Sequence, residues 1–255
     1  MYKKFSLDNK AVLITGASGG LGEHFAATLS DAGATVIAAG RRRQPLDALV
    51  QRLQKQGAKA HAVTMDVTSQ VSIAAGFNQA QEHCGVIGVV VCCAGVAINK
   101  KSLDLSVDEW DKVVDTNLKG SWMVCNEAAR RLVQAGQPGS IINITSILGH
   151  RVAGSVLPYA AAKAGLEQMT CALALEWARH GIRVNALAPG YIETDLNREF
   201  FSSEAGQAMI NRIPQRRLGQ CADLDGALLL LASDASSYMT GSSIVVDGGH
   251  LQSSL

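Results

Sequence analysis

The sequence predicts a doubly wound α/β domain, a parallel sheet with helices on both faces. Three observations carry this. Short apolar runs recur without polar alternation, as in Ala11-Val-Leu-Ile-Thr15 and Val89-Val-Val-Cys92. A longer amphipathic segment follows each run. A glycine cluster sits at the first junction between run and segment. Strands buried on both faces read as continuous apolar runs, and repeated strand–helix–strand order places them in one parallel sheet.

The elements follow in order. The first strand covers 11–15, and helical spacing runs over 21–32. A second strand over 34–39 leads to a helix over 46–56 that stops at Gly57. The third strand, 59–64, precedes a helix over 71–83. The fourth strand, 86–92, is the most apolar. A long helix is predicted over 110–134, then a fifth strand over 140–145. A second long helix, 158–180, ends at Gly181, and a sixth strand covers 182–187. A helix over 224–231 and a short strand over 243–246 close the chain. Residues 191–220 break the rhythm: they are long, mixed and charged, which marks a substrate lid or a flexible loop. The whole of 1–255 is expected to form one dinucleotide-binding catalytic domain.

Composition bounds the function. The chain has 255 residues, 47% of them hydrophobic, with a net charge of +1. That is enough for one large core, and the neutral balance offers no footprint for nucleic acid or a membrane surface. No stretch has the length of a membrane span, and Met1-Tyr-Lys-Lys-Phe-Ser6 lacks an apolar signal core. A soluble, cytoplasmic protein is expected. The six cysteines form no Cys-x-x-Cys pair and sit mostly in apolar surroundings, so buried free thiols are expected and no metal site.

The first strand leads into Thr15-Gly-Ala-Ser-Gly-Gly-Leu-Gly22. Gly16, Gly20 and Gly22 let the backbone turn tightly and approach a pyrophosphate, while the helix that follows presents free N–H groups and a positive dipole end. Ser18 adds a hydroxyl. A tight structural turn is the other reading of such glycines. The second strand ends Ala38-Ala-Gly-Arg-Arg42, with no carboxylate for ribose hydroxyls. Gly40 leaves room where an acid would stand, and Arg41 and Arg42 suit a 2′-phosphate, which selects NADP(H) over NAD(H). A solvated charge cluster is the alternative. Asp66 ends the third strand, placed either to receive an adenine amino group or to cap the next helix, a role Thr68 or Ser69 fills equally well.

Tyr159 and Lys163 lie one helical turn apart on one face. A phenol titrates near pH ~10, too high for acid/base work at neutrality. A neighbouring ammonium favours the phenolate and is expected to lower that pKa. Taken alone, the pair reads equally as an ordinary helix-surface contact.

Together these residues resemble the short-chain dehydrogenase/reductase family, in its single-domain branch of Rossmann-type proteins. The resemblance covers nearly the whole chain. Thr15-Gly-x-x-x-Gly-x-Gly22 matches the cofactor motif, and Asn117 in Asp115-Thr-Asn-Leu-Lys-Gly120 matches the active-site asparagine. Ser146, Tyr159 and Lys163 match the catalytic serine, tyrosine and lysine. Pro189-Gly190 with Thr194 matches the segment that meets the nicotinamide, and Val246-Asp-Gly-Gly249 a C-terminal signature. The family's Asn-Asn-Ala-Gly is replaced by Cys92-Cys93-Ala94-Gly95. The missing amide normally ties strands together, and a thiol bonds more weakly. The change is read as structural, with catalysis intact.

The resemblance implies an NADP(H)-dependent oxidoreductase that interconverts a ketone and a secondary alcohol. Tyr159 is the implied general acid/base, Ser146 polarises the carbonyl oxygen, Lys163 tunes Tyr159 and holds ribose hydroxyls, and Asn117 holds a relay water. Cofactor contacts are expected from Gly16, Ser18, Gly20, Leu21, Gly22, Arg41, Arg42, Asp66 and Val67. Further contacts are expected from Ala94, Gly95, Tyr159, Lys163, Pro189, Gly190, Ile192 and Thr194.

The substrate pocket is expected at Ser146, Leu148, Val156, Tyr159 and Tyr191, with Val96, Ala97, His150, Arg151 and Val152 nearby. Its apolar lining suits a hydrophobic ketone. Phe200, Phe201, Met209 and Ile210 are able to close over it. Arg212, Arg216 and Arg217 either greet the phosphate of an acyl-carrier or coenzyme A thioester or pair with Glu193, Asp195, Glu199 and Glu204. A 3-oxoacyl thioester reductase is therefore the alternative, and a catalytically silent cofactor-binding protein the remote one. The resemblance also implies a homotetramer packed through the two long helices, with Leu166, Met169, Leu173 and Trp177 either on that face or in the core.

Overall fold

The computed structural model describes residues 3–194 and 198–252. Seven parallel strands stand in the order β3-β2-β1-β4-β5-β6-β7. They are β1 (Ala11–Thr15), β2 (Thr35–Gly40), β3 (Ala60–Thr64), β4 (Val89–Cys92), β5 (Gly139–Ile144), β6 (Ile182–Pro189) and β7 (Ser243–Val246). Strand order reverses between β1 and β4, and in such sheets the crevice beyond the strand C-termini at that point receives ligands.

The first three helices are α1 (Gly20–Asp31), α2 (Arg43–Lys55) and α3 (Gln70–Cys84). The long central helix is α4 (Val107–Val114) and α5 (Gly120–Ala135), joined by a π-helical turn at Asp115–Lys119. It starts earlier than the apolar spacing predicts. Ser106 accepts from the Glu109 N–H and Glu109 reaches back to the Ser106 N–H, so a capping box sets the boundary. The second long helix is α6 (Leu157–Trp177), with a 3₁₀ turn before left-handed Gly181. In the lid stand two short helices that the mixed composition conceals, α7 (Arg198–Ser202) and α8 (Glu204–Ile210), before α9 (Asp225–Ala232).

Alternate residues of each strand feed two cores. Val12 and Ile14 pack with Phe25 and Leu29 of α1, Leu46 and Leu49 of α2, and Leu228 of α9. Leu13 and Val90 pack with Phe77 of α3, Val124 of α5 and Leu173 of α6. Burying both faces explains why the strands read as unbroken apolar runs.

The open alternative for α6 resolves to the core. Leu166 and Leu173 are buried, and Met169 and Trp177 pack partly buried against the same cluster. The outer face instead carries Ala161, Ala164, Gln168, Ala172 and Leu175, the last 83% exposed. No described helix is long and apolar enough to cross a membrane.

Candidate active site

The site grows from the turn after β1. Gly16 has φ +73°, and a Cβ there would lie 2.8 Å from the Ala94 backbone. A Cβ on Gly22 would lie 2.4 Å from the Gly16 carbonyl oxygen. These glycines let α1 start against the turn and the turn against the loop after β4. No side chain caps α1, and its first residues line the cleft, an arrangement that suits an anion. The Thr15 hydroxyl accepts from both the Cys93 and Ala94 N–H groups, at 3.1 and 3.2 Å. That pair of bonds ties β1 to β4 at the height where Cys-Cys replaces the expected amides.

At the end of β2, Arg42 Nη2 donates to the Ser18 carbonyl and hydroxyl oxygens at 3.1 and 3.2 Å. Arg41 stands on the rim and holds the Asp66 carboxyl in its field. Asp66 Oδ1 accepts from Thr68 N and Oγ1, at 2.9 and 2.8 Å. The Thr68 N–H bond is the chief reason its pKa lies below the usual carboxylate range. Ser69, not Asp66, caps α3, so the capping role considered for Asp66 falls to its neighbour.

The chemical end lies beyond β5. Ser146 is 8% exposed, accepts from the Leu148 N–H at 3.1 Å and lines the cleft with Tyr159, whose phenolate its hydroxyl favours. Burial raises the Tyr159 pKa, outweighing the opposing effect of Ser146. This corrects the lowering expected from Lys163. The Lys163 ammonium sits 5.5 Å from the Tyr159 ring centre and donates to the Ile144 carbonyl at 2.6 Å. Burial also pushes Lys163 down to about 8, against the opposing fields of Cys93, Cys92 and Glu167.

Asn117 is fully buried in the π turn and lies outside the cleft lining. Its amide clamps Val96, accepting from the N–H and donating to the carbonyl, both at 2.8 Å. Its geometry therefore fixes the loop after β4. A Cβ on Gly95 would lie 3.3 Å from Asn117 Oδ1 and 3.9 Å from Lys163 Nζ, so the three are contiguous.

One cleft of about 1000 Å³ joins these parts. Every residue expected to touch the cofactor lines it: Gly16, Ser18, Gly20, Leu21, Gly22, Arg41, Arg42, Asp66, Val67, Ala94, Gly95, Tyr159, Lys163, Pro189, Gly190, Ile192 and Thr194. Ser146, Leu148 and Tyr191 line it too, with Val96, Ala97, Phe200 and Phe201. Tyr191, Phe201 and Phe200 form a chain of edge-on rings, at 5.7 and 5.1 Å.

Several expectations are corrected. Val156 does not line the cleft; it occupies the N-cap position of α6. Val152 is 88% exposed, and Met209 and Ile210 also lie outside the lining. His150 Nε2 lies 3.2 Å from Glu167, and Arg151 donates to the His250 carbonyl at 2.8 Å. Arg217 pairs with Asp223, outside the lid, at 2.6 Å, and Arg216 donates to the Asn211 carbonyl. Asp195, one of the acids named as a partner, lies outside the described residues. Thr15, Asn143 and Thr170 were missed. Each is a polar residue inside an apolar stretch, which was the available signal.

A family model described as enoyl-(acyl carrier protein) reductase matches residues 16–250. The 3-oxoacyl-[acyl-carrier-protein] reductase of Pseudomonas aeruginosa is 37% identical, over 96% of this chain and 98% of its own. The gluconate 5-dehydrogenase of Gluconobacter oxydans is 33% identical, over 96% of each chain. Among solved structures, a gluconate 5-dehydrogenase from Burkholderia cenocepacia in complex with NADP and tartrate is 33% identical, with TM-score 0.94 and 98% of each chain covered. With the strand order, the glycine turn and the Ser146–Tyr159–Lys163 group in place, these matches make the chain a member of the short-chain dehydrogenase/reductase family of oxidoreductases.

Proposed function

We propose that this protein interconverts a ketone and its secondary alcohol using NADP(H). One observation carries the reading: Ser146, Tyr159 and Lys163 stand at one end of a cleft whose other end holds Arg41 and Arg42. Support for the dinucleotide comes from the turn itself: Gly16 and Gly22 pack it against Ala94 and the start of α1, and Gly20 leaves its cleft side open, with nothing within 4 Å of where a Cβ would stand. The arginines suit the 2′-phosphate that distinguishes NADP(H). Bound there, the nicotinamide supplies or accepts the hydride.

The protein's part is the proton. Tyr159, kept protonated by burial, gives its hydroxyl proton to the carbonyl oxygen. Ser146 donates a hydrogen bond to the same oxygen and stabilises the charge that grows there. Lys163 presents a cation beneath the ring, and Asn117 holds the Val96 loop that walls the site. Phe200 and Phe201, on the 191–220 lid, line the cleft and shield it from water.

Val96, Ala97, Leu148, Phe200 and Phe201 support a ketone with apolar substituents. A polyhydroxy-acid ketone is the second reading, favoured by the likeness to gluconate 5-dehydrogenases. The thioester alternative is supported by the likeness to a 3-oxoacyl-[acyl-carrier-protein] reductase; Arg217, paired with Asp223, adds nothing to it. Loss of NADPH absorbance with acetophenone, 5-keto-D-gluconate and acetoacetyl-coenzyme A, repeated with NADH, separates the three. NADPH binding with no turnover on any ketone would leave a silent cofactor-binding protein. We place the enzyme in the cytoplasm as a homotetramer packed through the outer faces of α5 and α6. A monomer mass by light scattering would refute that assembly.

A further inference from the structure

Two hydrogen bonds join β5 to α6, and a third pair faces across just beyond the strand. Asn143 Nδ2 donates to Thr170 Oγ1 at 2.9 Å. The carbonyl of the next residue, Ile144, accepts from Lys163 Nζ at 2.6 Å. Ser146, just beyond the strand, and Tyr159, at the start of α6, line the same cleft, and the serine hydroxyl favours the phenolate of Tyr159. Numbers rise along the strand as they fall along the helix, so the two run antiparallel, with the reacting groups at one end and Asn143–Thr170 at the other. The Thr170 and Lys163 rungs stand two helical turns apart, about 10 Å.

The far rung is wholly buried: Asn143 is 0% and Thr170 1% exposed. Thr170 is fully committed, for its hydroxyl also donates to the Leu166 carbonyl at 2.8 Å. Asn143 Oδ1 accepts from Cys125 Sγ at 3.3 Å, and Cys125 Sγ lies 3.7 Å from Cys92 Sγ. A chain of polar groups thus runs from β4 through α5 and β5 into α6. Apolar packing alone is non-directional and lets a helix slide or turn on a sheet at small cost. A buried hydrogen bond resists both motions, because an orphaned amide or hydroxyl inside the core is costly.

We propose that Asn143 and Thr170 are positioning residues for the proton transfer, setting the height and rotation of α6 on β5 so that Tyr159 meets Ser146 and Lys163 meets the Ile144 carbonyl. This rests on the reading of Tyr159 as the acid. Cys125 and Cys92 support the pin in place of the strand-tying amide that the Cys-Cys sequence lacks.

The test uses the full chain, NADPH and the ketone of the panel that wild type reduces fastest. Thr170→Val should lower kcat about ten- to a hundredfold, the penalty of a small misplacement of reacting groups, and shift the pH profile of kcat. NADPH affinity should fall less than kcat, because Arg41, Arg42 and the glycine turn lie on other elements and only Tyr159 and Lys163 of the cofactor contacts ride on α6. Thr170→Ser, which keeps the hydroxyl, should restore rate and profile. The deciding variant is Asn143→Leu with Thr170→Val, which removes both partners and leaves neither the amide nor the hydroxyl orphaned. Its melting temperature should recover while kcat stays low and the profile stays shifted. Recovery of wild-type kcat and pH profile in that double variant would overturn the proposal and leave the pair merely structural. Tyr159→Phe in the same assay reads the acid separately. Turnover there removes the site reading, whereas a fast double variant removes only the pin.

Discussion

Lys163 donates to the main-chain carbonyl of Ile144 at 2.6 Å, from a position only 5% exposed. The strand thus supplies a hydrogen-bond acceptor that helps an ammonium stay charged inside the domain. Even so, burial lowers its pKa from 10.5 to about 8.

That depression has a signed consequence. Between pH 8 and 10.5 the unfolded chain binds more protons at Lys163 than the folded one, so stability rises with pH across this window. Wild type should therefore gain stability relative to Lys163→Met from pH 8 to 10.5, and hold a constant difference below 8. Urea denaturation of both proteins across this range measures it, and a gap that does not change with pH would show that the ammonium titrates normally.

Tyr159 has its pKa raised by burial, so its acid form dominates at neutrality. Ketone reduction should hold through neutral pH, and alcohol oxidation, which needs the phenolate, should climb with pH on the alkaline side. Tyr159→Phe should lose about 10²–10⁴-fold in kcat and still bind NADPH. Rate profiles in both directions and a fluorescence titration check these outcomes.

Gly22 leaves no space for a side chain, since a Cβ would approach the Gly16 carbonyl oxygen to 2.4 Å. Gly22→Ala must push α1 away from the turn. NADPH affinity should fall by more than about tenfold, a loss of over 1.4 kcal/mol of binding energy. The melting temperature should fall too. Unchanged NADPH titration in a folded Gly22→Ala protein would contradict this packing.

Gly40 is different. A Cβ there would meet Leu46 and Ser18 at 3.7 Å, an ordinary contact. Gly40→Asp should fold normally and place a carboxylate beside Arg41 and Arg42. NADPH affinity should drop and NADH affinity rise, inverting the preference by about tenfold or more. Paired titrations with the two reduced cofactors read the ratio directly.

Much of this site was legible because it rests on local pattern. Gly16 and Gly22 mark a turn wherever they stand at that spacing between a strand and a helix. Arg41 and Arg42 follow Gly40 with no acid, and the structure puts both on the cleft, as that pattern leads one to expect. Tyr159 and Lys163 share a helix face by arithmetic alone. The early start of α4 was also written in the chain, in the Ser106–Glu109 capping box, but apolar spacing speaks louder than a cap and placed the boundary late. Val156 was misplaced because nearness to Tyr159 in sequence says nothing about which way a residue before a helix faces.

The doubly wound fold, the glycine turn and the candidate groups at the end of the cleft could all be read from residue type and short-range spacing. The tertiary structure alone decided the sign of the Tyr159 shift, the partner of Lys163, the commitment of Arg217 to Asp223 and the Asn143–Thr170 rung. Those depend on desolvation and on contacts between distant elements. Neither burial depth nor the register of a helix on a sheet is a property of any short stretch of chain.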